Sequence, residues 1–395
     1  YMFSECTSLK SASFKNWNTS KVEYIQQMFY KTASLETIDI SSFQTPNIKY
    51  ADYTFCESGA KIIRLDNATL SRASLVRGMF EARSVDKELL VITRDSNLLN
   101  NKQTYLYQRE PLSTPVLDAN GGQFSDQTQT KKYFEKCVYE PEKLNLDNFE
   151  RFKQENQPTR SGNNHFIEWK PSKEVSNVKN VLDLVGVTYV AQWVQSDWNF
   201  QWDSSDNYYK LTEYIGTNRN IVVPNEILGK PTKINLSSAF PLKNLGGSSP
   251  WTNVTSVRFS NNNGKKVKAI GNKIWFNSWS NMTEFDGSGL DTSNINDLEK
   301  TFENCSKLNR INISGWNTSN VTTMFDMFAK CSSLETIDIK NWNTSQLTNM
   351  QGIFYQCTNL KNIDLSSWNT EHVTNMIGTF NQCSNLNSVN IKNFN

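Results

Sequence analysis

The sequence predicts an α/β solenoid of stacked repeats, in two short arrays separated by a small α+β module and a β-rich cap. Three observations predict it. First, Cys305, Cys331, Cys357 and Cys383 recur at a constant spacing of 26, as do Phe302, Phe328, Phe354 and Phe380. Trp316, Trp342 and Trp368 keep the same period, with Phe394 in the next place. Second, Phe3, Phe29 and Phe55 repeat that spacing near the N-terminus. Third, the ruler finds no match from Arg94 to about Trp193. A fixed period of roughly 20 to 50 residues marks supersecondary units that bury their apolar edges only against one another.

Length and composition bound the rest. At 395 residues the chain is too long for one compact core. Lys and Arg number 41 against 39 Asp and Glu, a net charge of +2, so no basic excess points to nucleic acid. Only 20% of residues are charged, and Asn, Ser and Thr fill much of the polar surface, which suits a secreted or wall-exposed protein. No run of 18 apolar residues exists, so no membrane insertion is expected. The chain opens inside a repeat (YMFSEC), with no export signal at Tyr1. The expectation is a fragment whose export signal and anchor lie elsewhere in the parent protein.

Residues 1–95 form the first array. Leu9, Ala12 and Phe14 recur as Leu35, Ile38 and Ile40, then as Ala60, Ile63 and Leu65. The alternation that ends each frame is that of a strand with one buried face. Val22, Ile25, Met28 and Phe29 then read as one or two turns of amphipathic helix. Leu89 to Ile92 reads as a covered strand closing the array. Residues 96–193 form the linker and module: PLSTP at 111–115, a strand and tight turn at VLDANGG, a helix at LNLDNFERFKQ capped by Asp147, and strands at HFIEWK and VTYVAQW. Residues 194–272 are strand-rich, with hairpin turns expected at 203–207 and 216–218, and read as the cap of the second array. The second array, 273–395, carries the strand pairs Ile311/Ile313, Ile337/Ile339, Ile363/Leu365 and Val389/Ile391.

The pattern MFAKCSSLETIDIKNWNTSQLTNM at 327–350 resembles the leucine-rich repeats of the BspA type, a family of bacterial surface proteins, and the resemblance covers 1–92 and about 273–395. LDANGG at 117–122, PTRSG at 158–162, FIEW at 166–169 and YVAQW at 189–193 are similar to the internalin B-repeat family, with a β-grasp-like fold. The spacing between LDANGG and PTRSG exceeds the family's, and the helix-like LNLDNFERFKQ accounts for the excess. Both resemblances imply an extracellular protein of a bacterial cell surface, of Gram-positive type, serving adhesion or display rather than catalysis.

The candidate chemistry is thin. His372 falls where Asn320 and Gln346 stand in sister repeats, and His165 lies beside a turn; neither sits in a catalytic pattern. Asp286-Gly287-Ser288-Gly289-Leu290-Asp291 has the look of a calcium loop, but it aligns with Asn312 to Asn317 and reads as a drifted repeat. No metal and no cofactor is called for. The seven cysteines are odd in number and lack CxxC spacing, and their place in the repeat also accepts Thr32, Arg83 and Trp279. They read as buried free thiols acting as small hydrophobes. The Asn-Thr-Ser triplets at 317–319 and 343–345 read as turns held by local side-chain hydrogen bonds rather than as glycosylation sites. Trp169, Trp193, Trp198 and Trp202 read as core filling rather than a sugar-stacking platform.

The expected function is non-catalytic adhesion by a monomer. Its ligand is a host mucin, matrix protein or glycan, bound weakly and multivalently by the outward strand residues. These are Asp39, Asn312, Thr336, Asp338, Lys340, Asp364 and Asn390. The rival expectation is a passive stalk that displays another domain.

Overall fold

The computed structural model describes the whole chain except residues 71–72, 74–75, 86–87, 102–104, 107–108, 113, 127–129, 135–137 and 395. It forms two compact units, Tyr1–Val194 and Gln195–Asn395. Both are rich in short strands and poor in helix.

In the N-terminal unit, strands β1 (Thr37–Asp39), β2 (Ile62–Arg64) and β3 (Glu88–Ile92) pair in parallel, with Ile38 beside Ile63 and Ile63 beside Val91. The alternation expected from the sequence is present: Ile38, Ile40, Ile63 and Leu65 are buried while Thr37 and Asp39 face solvent. The strand β3 does not close the sheet. It also pairs in parallel with β4 (Glu110–Pro111) and β7 (Val138–Tyr139), and this flanking is why its run of Leu89 to Ile92 is apolar throughout. A helix α1 (Ser96–Asn100) follows, its first amides capped by the Asp95 carboxylate. A second sheet takes the order β6–β5–β9–β8, from β5 (Val116–Asp118), β6 (Lys131–Tyr133), β8 (Asn164–Pro171) and β9 (Thr188–Gln195). Helix α2 (Leu146–Glu155) packs with this sheet through Phe149 against Phe134 and Tyr189. Its cap is Asn145, whose side chain accepts the Asn148 amide at 2.8 Å, so Asp147 lies in the first turn and not at the cap.

The C-terminal unit starts with a hairpin of β10 (Trp198–Asp203) and β11 (Tyr208–Tyr214), turned at Asn207 with φ +67°. The next strands are β12 (Asn220–Val223), β13 (Glu226–Ile227), β14 (Lys230–Asn235), β15 (Ser256–Phe259), β16 (Val267–Ile270), β17 (Glu284–Asp286), β18 (Leu290–Asp291) and β19 (Arg310–Asn312). They sort alternately into two parallel ladders, β11–β14–β16–β18 and β12–β15–β17–β19, with β13 set antiparallel on β14. Residues 216–218 therefore turn a corner between two sheets and do not join a hairpin. The segment expected to be a cap supplies two rungs of the strand face itself: Ile221 lies beside Val257, and Val257 beside Phe285, in the register that leads to Ile311.

Further along, β20 (Asn362–Asp364) and β21 (Ser388–Asn390) pair in parallel, but no strand is formed at 336–338. The pair Ile337/Ile339 keeps its inward alternation, with Ile339 buried, although the ladder is interrupted there.

The expected short helices are absent from the repeats among the described residues. Their apolar spacing of three to four comes from turns. A helical amide bonds the carbonyl four residues back. Here alternate amides cross to the next repeat instead: Leu298, Lys300, Phe302 and Asn304 donate to the carbonyls of Thr323, Phe325, Met327 and Ala329, at 3.0, 2.8, 2.8 and 2.9 Å. Left-handed residues, with φ +54° at Lys300 and +61° at Asn304, interrupt any helical run. Single parallel bridges Lys273–Asp297–Thr323–Asn349–Asn375 extend this side of the stack.

The interior is a set of aromatic columns. Phe276, Phe302, Phe328, Phe354 and Phe380 stack at 5.5 to 5.9 Å with planes within 9° of parallel. Trp316, Trp342 and Trp368 form a second column at 6.3 and 6.4 Å. Each indole N–H donates to the previous repeat, to Gly287, Ile313 and Ile339 carbonyls at 3.1, 3.2 and 2.9 Å. Cys305, Cys331, Cys357 and Cys383 donate their thiols to the carbonyls of Phe276, Phe302, Phe328 and Phe354. In the N-terminal unit Phe3, Phe29, Phe55 and Phe80 form the matching column. Its last carbonyl, on Phe80, is met by the buried Arg109 guanidinium at 2.6 Å.

Candidate binding surface

Because side chains alternate across a strand, the parallel ladder of the C-terminal unit builds outward rows one residue wide. One row runs Val222, Arg258, Asp286 and Asn312, and the row beside it Asn220, Ser256, Glu284 and Arg310. Two shallow grooves meet on this face and share Glu284, Asp286 and Arg310. The first, of about 400 Å³, includes Val222 and Arg258; the second, of about 410 Å³, includes Asn312 and Thr336.

Most charges here are already engaged between repeats. Arg310 meets Glu284 at 2.9 Å, and the Asn312 amide donates to Asp286 at 3.2 Å. The Asp286 carboxylate also accepts the Ser288 amide at 3.0 Å. Lys361 pairs with Glu335 at 2.7 Å, and Lys49 with Glu23 at 2.8 Å in the N-terminal unit. Ser288 apart, each of these partners sits one full repeat from its mate, so the repeat period itself brings them together.

The residues expected to bind are placed unevenly. Asp39 lies on β1 in the N-terminal unit and accepts the Ser41 amide at 3.0 Å. The other six are in the C-terminal unit. Asn312 and Asn390 are exposed on β19 and β21, and Asp364 is half-buried on β20. Thr336, Asp338 and Lys340 are exposed in and beside the interrupted rung. Lys340 and Asp364 are spent on each other, at 3.0 Å. Hydrogen bonds from the Ser366 hydroxyl and amide, and then Lys340, hold the Asp364 carboxyl down at about 2. Asp338 forms no ion pair or side-chain hydrogen bond among the described residues.

The outward residues of β12 and β15 escape the 26-residue pattern, which reaches back only as far as β17. The successive inward residues Ile221, Val257 and Phe285 are unevenly spaced, each interval longer than one repeat, so a fixed ruler steps over them. The alternation in VTSVRF is the signal that marks them.

The calcium-like segment has a packing role. A Cβ on Gly289 would lie 2.3 Å from the Phe259 carbonyl oxygen, and the Gly287 carbonyl receives the Trp316 indole. Among the described residues no group of three or more His, Cys, Asp or Glu side chains is arranged to hold a metal. Among the described cysteines none is disulfide-bonded; Cys137 lies outside the described residues. Burial pushes the Cys56 thiol up to about 11 and Cys305 up to about 12. No helix among the described residues is long and apolar enough to cross a membrane.

The repeats match a family profile described as "Mycoplasma protein of unknown function, DUF285", over residues 1–90 and 273–394, more than half of the chain. The chain belongs to the DUF285 family. No curated protein matches it. Two solved structures are similar at 18% identity and a TM-score of 0.23 each. One is a leucine-rich repeat protein of T. pallidum, matched over 49% of this chain and 68% of that one. The other is a leucine-rich cell surface protein of Faecalibacterium prausnitzii A2-165, matched over 50% of this chain and 41% of that one. At that score neither carries a fold or a function over to this DUF285 chain.

Proposed function

We propose that this DUF285 chain is a leucine-rich solenoid of BspA type that acts as an adhesive surface on a bacterial cell, binding a host mucin, matrix protein or glycan without catalysis. The segment 96–193 is read as a β-grasp-like module of internalin B-repeat type between the arrays. The observation that carries the reading is the strand face: its paired rungs present Asn, Ser, Asp, Glu and Arg side chains outward in register. Weak contacts repeated along such a face add by avidity. The test is binding of the immobilised chain to mucins and matrix proteins. Asp338→Ala and Asp364→Ala are expected to weaken the binding found, and an unchanged signal counts against the strand face.

The stalk reading keeps one observation in its favour. Ion pairs such as Lys361–Glu335 and Lys340–Asp364 turn outward charge into inter-repeat glue. A chain that binds no member of the panel is the result that favours a spacer.

A further inference from the structure

Two side chains on the strand face of the C-terminal unit differ from their neighbours. Arg258 is exposed in the first groove and forms no ion pair among the described residues, while Arg310, two rungs on, is neutralised by Glu284. Asp338 likewise forms no ion pair among the described residues, while Asp364, one repeat on, is held by Lys340. Between them Asp286 and Asn312 bond each other. Among its described residues the face thus carries a free cation and a free anion with a satisfied stretch between.

Their separation has a natural complement. Arg258, Asp286 and Asn312 are register partners, and Asp338 holds the Asn312 place one repeat later. Two paired steps and the step to the interrupted rung, each at about 4.8 Å, put the two backbones about 14 Å apart. An extended peptide rises about 3.3 Å per residue, so residues i and i+4 lie about 13 Å apart, and both point to the same side. Val222, on the rung before Arg258, adds an apolar contact, 42% exposed. The outward positions of β12, β15, β17 and β19 carry no aromatic ring, the feature that offers a pyranose its stacking platform.

We infer that the strand face takes an extended protein segment laid across the strands, with an acidic and a basic side chain four residues apart, on Arg258 and Asp338 respectively. This inference rests on the reading of the strand face as the binding surface. The segment can run in either direction, so the pattern of charges matters and its order does not.

The experiment uses the full chain and an array of immobilised extended peptides. They carry Asp and Lys four residues apart, two Asp, two Lys, or no charge, and a uronate polysaccharide serves as the glycan arm. At low salt the unaltered chain is expected to prefer the Asp–Lys peptide over the uncharged one, by about threefold to fivefold for exposed pairs. Arg258→Glu is expected to shift the preference to the peptide with two Lys, and Asp338→Lys to the peptide with two Asp. Neither position is buried, and a thermal melt checks that the variants fold. No preference in the unaltered chain, no switch in the variants, or binding to the polysaccharide alone each overturns the inference. A third variant, Asn312→Trp, blocks the middle of the face. If it abolishes binding to the matrix-protein panel while both charge variants bind as before, the face reading stands and the charge inference falls. If panel binding survives Asn312→Trp, the face reading itself falls.

Discussion

Single residues in this chain act mainly on the repeat next door. Thr344 is 2% exposed, donates its hydroxyl to the Asn369 carbonyl at 2.9 Å and accepts the Asn369 amide at 2.8 Å. Thr344→Val keeps the shape and strands both backbone groups, so a loss of about 1–3 kcal/mol in urea unfolding is expected. The exposed Thr348→Val should change stability by less than about 0.5 kcal/mol. The triplets around Thr318 and Thr344 were thus legible as turns, and Asn317 does hold the Ser319 amide locally at 3.1 Å. Their central threonine was not legible as a clamp, because its partner belongs to the following repeat. Tryptophan offers a matched contrast. The indole N–H of Trp279 is buried with no partner among the described residues, whereas that of Trp342 reaches the Ile313 carbonyl. Replacement by Phe should therefore cost about 1–2 kcal/mol more at Trp342 than at Trp279. Equal costs would show that the hydrogen bond contributes nothing net.

At the scale of elements, strands were legible and turns were disguised. The pairs around Ile38, Ile63 and Ile363 alternate in sequence as they do in burial, since one face of each is covered. The stretch Val321, Met324, Met327 and Phe328 has helical spacing but is turn, because the Met324 and Phe328 amides bond the neighbouring repeat and sequence spacing is blind to that choice. Far-UV circular dichroism of residues 195–395 is accordingly expected to lack the helical double minimum; a strong 222 nm band would overturn the assignment. The rungs at Ile221 and Val257 were not legible to a fixed period for a related reason, since their register partners are more than one repeat away in sequence. The Asp364 carboxylate, held by Ser366 and then by Lys340, gives a pH signature. The carboxyl is held near 2 in the folded chain and returns to about 4 when unfolded. A lowered acid stabilises fully above the unfolded value, and the contribution disappears as pH falls through about 2. The melting temperature should therefore fall less steeply between pH 4 and 2 in Asp364→Asn than in the unaltered chain. Superimposable profiles would remove the Asp364 carboxylate from the account. The cysteine column makes a separate claim: a thiol assay on unfolded, unreduced protein should find nearly all seven reactive, and two or fewer would show disulfides.

For the whole molecule, the chain is expected to divide where its contacts do. Residues 1–194 and 195–395, expressed separately, should each unfold cooperatively; a fragment that fails to fold alone would join the two into one cooperative body. Within the C-terminal unit the inter-repeat amide bonds of Phe302, Asn304 and their equivalents tie each repeat to the next. That arrangement has a mechanical meaning. Tension applied at the C-terminus loads the bonds of the last repeat while those behind it stay unloaded, as in the teeth of a zip. Each repeat released frees about 90 Å of extended chain. An optical trap should record the second array lengthening in even steps of that order, with each aromatic plate peeled from its column in turn, so that the protein yields gradually under a pull where a single-core domain would give way at once.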